Sequence, residues 1–440
     1  MSGAAERWVN VMSVVLTILR VVAIIALTAI TLIGFLYLTR GSALKHVRSV
    51  GQNEDPLAPN EPEFPLSVAM ATGAILLPGN RVDIAVNGDG TFARLWDDLR
   101  SARRSIIFQV YYGLAGGVAD TLGEILLERA NAGVRVLALY DAFGTGKIPT
   151  KHLTSLRNAG ATIVAFRPLR LSALNVVDNR SHVRAIVIDG RIGWTGGFGI
   201  DDKWVGDGVS NGGWRDTNVR FEGPVVRQLE AAFAAAWSEA TGELLTGRLT
   251  LPTVDAGSTT AALLYAPPTL GTTIAERFLA LSISAARKTF YVTNAYFAPA
   301  TNFIDLLTAA ARRGVDVRLL LPGPRTDVRI ARRAGRKRYE RLFDAGVRVY
   351  EWQPTALHAK TFVVDGLWSS VGTMNFDNRS LVLNEEVTLT VLDAAFGERM
   401  NTMFLDDLNH ATEIIPDEFR KRRWTERVVE WGANIASRVL

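Results

Sequence analysis

The stretches SHVRAIVIDGRIGWTGG (residues 181–197) and LHAKTFVVDGLWSSVGT (residues 357–373) decide how the rest of this chain is read. Each places a cation two residues after a histidine, runs through an apolar, largely β-branched stretch to an Asp-Gly pair, and ends in small residues. The correspondence extends upstream. RSIIFQVYY (104–112) and AGVRVLALYDAFG (132–144) match KTFYVTNAYF (288–297) and RGVDVRLLLPGPRTD (313–327), and RNAGATIVAF (157–166) matches FDAGVRVYEW (343–352). Landmarks kept twice in one order point to a duplicated module rather than a chance likeness of generic α/β units. The expected fold is α/β: two mainly parallel or mixed sheets flanked by helices and related by pseudo-twofold symmetry.

A chain of 440 residues accommodates two such units. The first is expected over 67–250 and the second over 251–410. Residues 1–40 read as a transmembrane anchor, because Val21 to Leu38 carries no charge and such a stretch is long enough to cross a hydrocarbon core. The apolar character extends back toward Trp8, interrupted at Arg20. A cleaved signal peptide is the rival reading, but this apolar run is longer than such peptides use. Residues 41–66, rich in proline and acids from Gly51 to Pro65, read as a linker, and 411–440 as a basic amphipathic tail. Arg40, Lys45 and Arg48 after the span suggest a cytoplasmic catalytic part. The absence of cysteine excludes disulfides, thiolate metal sites and a cysteine nucleophile, and the net charge of +5 suits an anionic partner.

Only five histidines are present, and His182 and His358 hold equivalent places in the two copies. The strand period of two sets each on the same face as the following cation, Arg184 or Lys360. A lone histidine opening a strand is usually structural; two placed alike in a repeat argue for use. An imidazole can attack phosphorus, a second can protonate the leaving alkoxide, and fixed cations can stabilise the pentacoordinate transition state. No metal and no cofactor is required. By parity Asp189 and Asp365 fall on the opposite strand face and, each preceding a glycine, read as structural turn formers.

On these residues the chain resembles the phospholipase D superfamily, with its HxKxxxxD signature followed by a GxxN-type turn, and within it the bacterial cardiolipin synthases. HAKTFVVD followed by GTMNFDNRS is the full pattern, and the resemblance covers nearly everything after the linker. It implies that Asp216 in WRDTNVRFEGP and Glu386 in LNEEVTLTV orient the histidines, and that Asn375, Thr373, Ser380 and Gly197 hold phosphate. It implies a nucleophilic His182, with His358 protonating the leaving group. It also implies the reaction: two phosphatidylglycerols give cardiolipin and glycerol, or, with water as acceptor, phosphatidic acid.

The first copy departs from the pattern twice, with Arg184 for lysine and Gly199 for asparagine. These departures leave open a non-catalytic scaffold that binds anionic lipid. The partners expected are an anionic phospholipid substrate and the bilayer. The basic run Arg325 to Arg341 fits either an anionic surface or a solvated helix face, and the C-terminal helix with two tryptophans fits either an interface or packing on the domain. A nuclease is the third reading and nucleic acid the less expected partner, because an anchor offers a nuclease little. Oligomeric state is not legible.

Overall fold

The computed structural model describes residues 2–39, 57–145, 150–168, 179–210, 212–246, 254–268 and 273–435. Most of the expected linker, up to residue 56, and the last five residues of the tail lie outside them. The first helix, α1 (Ser2–Thr39), is unbroken. Its portion Asn10–Leu32 is long and apolar enough to cross a membrane, and none of it is buried against the protein. At 1.5 Å per residue those 23 residues span about 35 Å, against about 30 Å of hydrocarbon. The apolar segment therefore begins well before Val21 and contains Arg20.

The chain is already folded before residue 66. Ala58 and Phe64 are buried, and α2 (Phe64–Thr72) inserts Phe64 and Val68 into the core of the second half of the chain. The linker therefore ends earlier than its proline content suggests. Pro65 sits in the first turn of α2, where a missing N–H costs nothing.

The first half continues with β1 (Leu77–Val86), α3 (Asn87–Arg100), β2 (Ser105–Val110), α4 (Gly117–Asn131), β3 (Arg135–Asp141), α5 (Thr150–Asn158) and β4 (Thr162–Phe166). It closes with β5 (Ala185–Ile188), β6 (Ile192–Gly196), β7 (Thr217–Glu222) and α6 (Val226–Thr241). The second half begins with β8 (Thr259–Ala266), α7 (Ile274–Ala285), β9 (Thr289–Asn294), β10 (Phe297–Ala298), α8 (Thr301–Arg312) and β11 (Asp316–Pro322). It proceeds through α9 (Arg329–Arg336), α10 (Tyr339–Phe343), β12 (Arg348–Trp352), β13 (Lys360–Val364), β14 (Trp368–Gly372), β15 (Phe376–Asp377) and β16 (Glu386–Leu392). Then come α11 (Ala394–Leu408), β17 (Ala411–Glu413), α12 (Pro416–Arg420) and α13 (Trp424–Ile435).

The strands join into one 15-stranded sheet rather than two separate ones. From its centre, where β1 pairs with β8, the order runs β1-β7-β6-β5-β2-β3-β4 one way and β8-β16-β14-β13-β9-β11-β12-β17 the other. Within it parallel pairing is confined to β2-β3-β4 and β9-β11-β12, so the sheet is mixed rather than mainly parallel. The reason is local. Each of those neighbouring pairs is joined through a helical crossover long enough for parallel return, whereas Asp189-Gly190 and Asp365-Gly366 turn too tightly for anything but an antiparallel neighbour.

Those turns explain the motif aspartates. Asp189 and Asp365 sit at positive φ, 54° and 52°. The carboxylate of Asp189 accepts from the backbone N–H groups of Arg103, Arg104 and Ser105 at 2.8–2.9 Å. That of Asp365 accepts from Arg287, Lys288 and Thr289 at 2.7–2.9 Å. Each thereby fastens the hairpin of the motif strand to the start of the strand beside it. Asp365→Ala leaves three amides without their acceptor and keeps the left-handed backbone, so thermal unfolding is expected to show a loss of about 3 kcal/mol.

The helices α3, α4 and α5 cover one face of the first half, and α7, α8 and α10 one face of the second. A third core, built on α6 and α11, draws residues from both halves, among them Val82, Phe233, Trp352 and Val387. This shared core brings β14 against β6 and β7, and β16 against β6. Consequently the ends of the motif strands from the two halves meet.

Candidate active site

The two halves clasp each other through the backbone. His182 N–H donates to Glu385 O at 2.9 Å, and Glu385 N–H to Arg180 O at 2.9 Å. Likewise His358 N–H donates to Arg215 O at 2.7 Å, and Arg215 N–H to Ala356 O at 2.9 Å. Buried ion pairs hold both clasps: Arg215 with Asp407 at 2.6 Å, and Glu385 with Arg167 at 2.6 Å.

This arrangement crosses the carboxylates over. His182 Nδ1 lies 2.9 Å from Glu386 Oε2, and His358 Nδ1 lies 2.9 Å from Asp216 Oδ2. Each histidine is thus held by the acid of the other half. All four side chains are buried. With Nδ1–H donated to a carboxylate, Nε2 carries the free lone pair of each ring.

The cations follow the same scheme. Arg184 Nη1 donates to the carbonyl of His182 at 3.0 Å, and Lys360 Nζ donates to the carbonyl of His358. Arg184 therefore takes the place of the lysine, with its Nε anchored on Phe198 O at 2.8 Å. Burial lowers both imidazoles, and Arg184 and Lys360 both lower them further. His182 lies well below its ordinary value, and His358 is pushed down to about 4 despite Asp216. Each cation acting on both rings shows that the four groups share one electrostatic site.

The carboxylates differ. Burial pushes Asp216 up, but the attraction of His358 and Lys360 and the bonds from His358 and Trp204 outweigh it and hold the group at about 2. For Glu386 burial prevails, raising it to about 7. Its partners are the hydroxyls of Ser380 and Thr373 and, at 3.4 Å, the amide of Asn384.

Thr373 and Ser380, expected at the phosphate, thus spend their hydroxyl protons on Glu386. Gly197 differs from the expectation as well. Its N–H is committed to Thr217 O at 3.3 Å, and a Cβ there would lie 2.0 Å from Asp216 Oδ1, so glycine is needed to let that carboxylate in. Asn375 retains its side-chain oxygen, which is buried with no hydrogen-bond partner among the described residues.

The absence of asparagine at position 199 in the first half has a structural reason. A Cβ on Gly199 would lie 2.6 Å from the ring of Trp204, whose indole N–H donates to Asp216 Oδ2 at 2.8 Å. Tryptophan supplies the donor that hydroxyls supply to Glu386 in the other half, and glycine makes room for it. Trp204 and Trp214 also pack on His358, with ring centroids at 5.3 and 5.2 Å, while Tyr111 packs on His182 at 5.2 Å. Lys203 sits over Tyr112 and Trp214 at 3.8 and 4.2 Å. None of these aromatic groups was singled out from sequence. The signals available were the tyrosine pair closing β2 and the tryptophan five residues beyond the anomalous Gly199.

Residues 279–408 match the family model described as cardiolipin synthase, PLD-like domain. The cardiolipin synthase of Geobacillus thermodenitrificans is 34% identical over 390 residues, covering 88% of this chain and 77% of that protein. Cardiolipin synthase A of Pseudomonas fluorescens is 36% identical over 363 residues, covering 82% and 74%. Among solved structures, the phosphatidylserine synthase of Haemophilus influenzae superposes with a TM-score of 0.62 over 86% of this chain and 100% of that one. At 11% identity that likeness concerns the fold alone. Sequence identity at this level along most of both chains establishes that this chain belongs to the cardiolipin synthase family of phospholipase D-like proteins.

Proposed function

We propose that this protein is a membrane-bound phosphatidyltransferase that converts two phosphatidylglycerols into cardiolipin and glycerol. The observation that carries this reading is the pair of buried imidazoles, each fixed through Nδ1 by a carboxylate of the other half and each beside a buried cation. His182 Nε2 attacks phosphorus, forming the N–P bond as the P–O bond to glycerol breaks. His358, whose Nε2 takes up a proton as the phosphodiester anion binds beside it, delivers that proton to the departing alkoxide. A hydroxyl of the second phosphatidylglycerol then gives its proton to His358 and attacks phosphorus. The new P–O bond forms and His182 leaves as neutral imidazole. Arg184 and Lys360 face the charge that accumulates on the phosphoryl oxygens, and Asn375 directs its carboxamide to the same group. The rings of Trp204 and Trp214 beside His358 set apolar surface where hydrolysis would need ordered water.

The same reading takes residues 67–250 and 251–410 as two copies of one module related by a pseudo-twofold axis. The mirrored strand order and the reciprocal clasps support it. It takes α1 as a single membrane anchor, with the catalytic part on the cytoplasmic side.

Thin-layer analysis of the purified chain with labelled phosphatidylglycerol in mixed micelles tests the proposal. Cardiolipin with equimolar glycerol is the expected product. Phosphatidic acid alone would make the protein a hydrolase, and no product from any common phospholipid would refute the enzymatic reading.

Ligand binding should carry a pH signature. Burial, and then Arg184, lower the Lys360 ammonium to about 7 against the pull of Asp216. A bound oxyanion favours the ammonium and raises its pKa. Above about pH 7 the complex therefore holds more protons than the free protein, and affinity falls with rising pH, approaching about tenfold per unit. Calorimetry with tungstate, an anion that does not itself titrate there, should detect proton uptake near pH 8. Affinity independent of pH between about 7 and 9 would contradict this state of Lys360.

A further inference from the structure

We infer that α13, together with the outer face of α9, is a second membrane contact, distinct from α1, which docks on an anionic bilayer surface. The helix α13 has two unlike faces. Inwardly, Glu430 is buried between Arg336 at 3.1 Å and Arg422 at 3.0 Å. Nearby, Ala433 packs in one small cluster with Ala334 of α9 and Ala298 of β10. Outwardly, Trp424, Val428, Trp431 and Ile435 form a stripe at spacings of four, three and four residues, and they are 75%, 54%, 58% and 39% exposed. A soluble surface rarely leaves two tryptophans and two β-branched residues aligned in water, and this is the composition of helices that lie in the plane of a lipid interface.

The charge around the stripe identifies the occupant. Arg329, Arg333 and Lys337 follow one another at helical spacing and are all exposed, as is Arg423 just before α13, while Arg427 is exposed but pairs with Glu340 at 3.8 Å. Glu426 is the exposed acid of that helix. Arg332, Arg336 and Arg341 from the same basic run are ion-paired with Glu351 and Asp305. The run is thus divided into cations that brace the domain and cations that face outward. Outward cations flanking an apolar stripe complement anionic headgroups over an acyl layer.

The surface is also placed usefully. Tyr296, immediately before β10, packs on His358 with ring centroids 6.1 Å apart. An open cleft beside Arg325 and Arg329 reaches Trp214, which lies against the same histidine. Docking by α13 would set that cleft against the headgroup layer. This consequence rests on the enzymatic reading above, but the docking itself is measurable without turnover.

The chain has no cysteine, so Trp431→Cys in the full-length protein can carry an environment-sensitive fluorophore. The labelled protein is inserted through α1 into phosphatidylcholine vesicles with or without phosphatidylserine, the lipids bearing brominated acyl chains. The expected result is a blue shift and quenching, about threefold greater or more with phosphatidylserine, while a Leu405→Cys label on α11 stays unquenched. Adding Arg333→Glu and Lys337→Glu should remove the phosphatidylserine dependence. Absent quenching, or equal quenching in both vesicles, overturns the proposal. A label already shielded in detergent in proportion to protein concentration also overturns it, by assigning the stripe to a second copy of the chain.

Discussion

Given a phosphodiester with an activated phenolic leaving group, His358→Ala is expected to halt with a covalent phosphatidyl group on His182, and His182→Ala to form no adduct at all. The asymmetry follows from the chemistry assigned to each ring. Attack on phosphorus needs an Nε2 lone pair, which the Glu386 bond to Nδ1 secures for His182. Expulsion of glycerol needs a proton, because an alkoxide is a poor leaving group. A phosphodiester with an activated phenolic leaving group removes that need. With such a substrate His358→Ala should release about one equivalent of phenol per protein and then stall, since no base remains to activate the acceptor. With phosphatidylglycerol both variants should lose about 10⁴-fold or more in kcat. Adduct found on His358 in His182→Ala would exchange the two roles, and full activity in either variant would remove the histidines from the mechanism.

Asp216→Asn should be nearly as damaging, by about 10³- to 10⁴-fold, with little loss of fold. The reason lies in which oxygens are taken. Oδ1 accepts from the backbone N–H of Thr217 at 2.8 Å. Oδ2 accepts from the Trp204 indole at 2.8 Å and faces His358 Nδ1 at 2.9 Å. An asparagine that keeps its oxygen on Thr217 must turn its NH₂ toward two donors. The Trp204 N–H then loses its acceptor, and His358 can meet the amide only by moving its proton to Nε2. That tautomer cannot accept a proton from the incoming hydroxyl. The activated phenolic substrate separates this account from general damage: its first-step burst should survive in Asp216→Asn while the slow second step does not. A burst lost together with turnover, in a variant that melts like the wild type, would give Asp216 a different role.

The two motif strands, their histidines, cations and turn-forming aspartates were legible because each is a local pattern. A period of two and an Asp-Gly pair carry their meaning within a dozen residues. Asp216 and Glu386 were legible only through resemblance, and their pairing was not. Nothing in either segment says that Asp216 serves His358 rather than His182. That choice is made by clasps between residues far apart in sequence and by the shared core on α6 and α11. The departures of the first motif were visible as anomalies but not as solutions. Gly199 is intelligible once the Trp204 ring is seen in the space a side chain would fill.

The basic run Arg325 to Arg341 admitted an anionic surface or a solvated helix face, and the C-terminal segment an interface or packing on the domain, because composition records what a helix offers and not which face is taken. Packing divided both, seating Glu430 and Ala433 inward and leaving Trp424 and Trp431 outside. The start of the folded part escaped sequence reading because proline marks a helix's first turn as readily as a linker, and only the burial of Phe64 decides between them. The sequence by itself determined the two motif strands, the histidine and cation that each carries on one face, and the turns that end them, since these depend on residue type and short spacing. Tertiary structure alone decided the joined mixed sheet and the crossed carboxylates, since each is a contact between segments that chain proximity does not relate, and the seat of the Trp204 ring, since residue spacing does not say which way a ring packs.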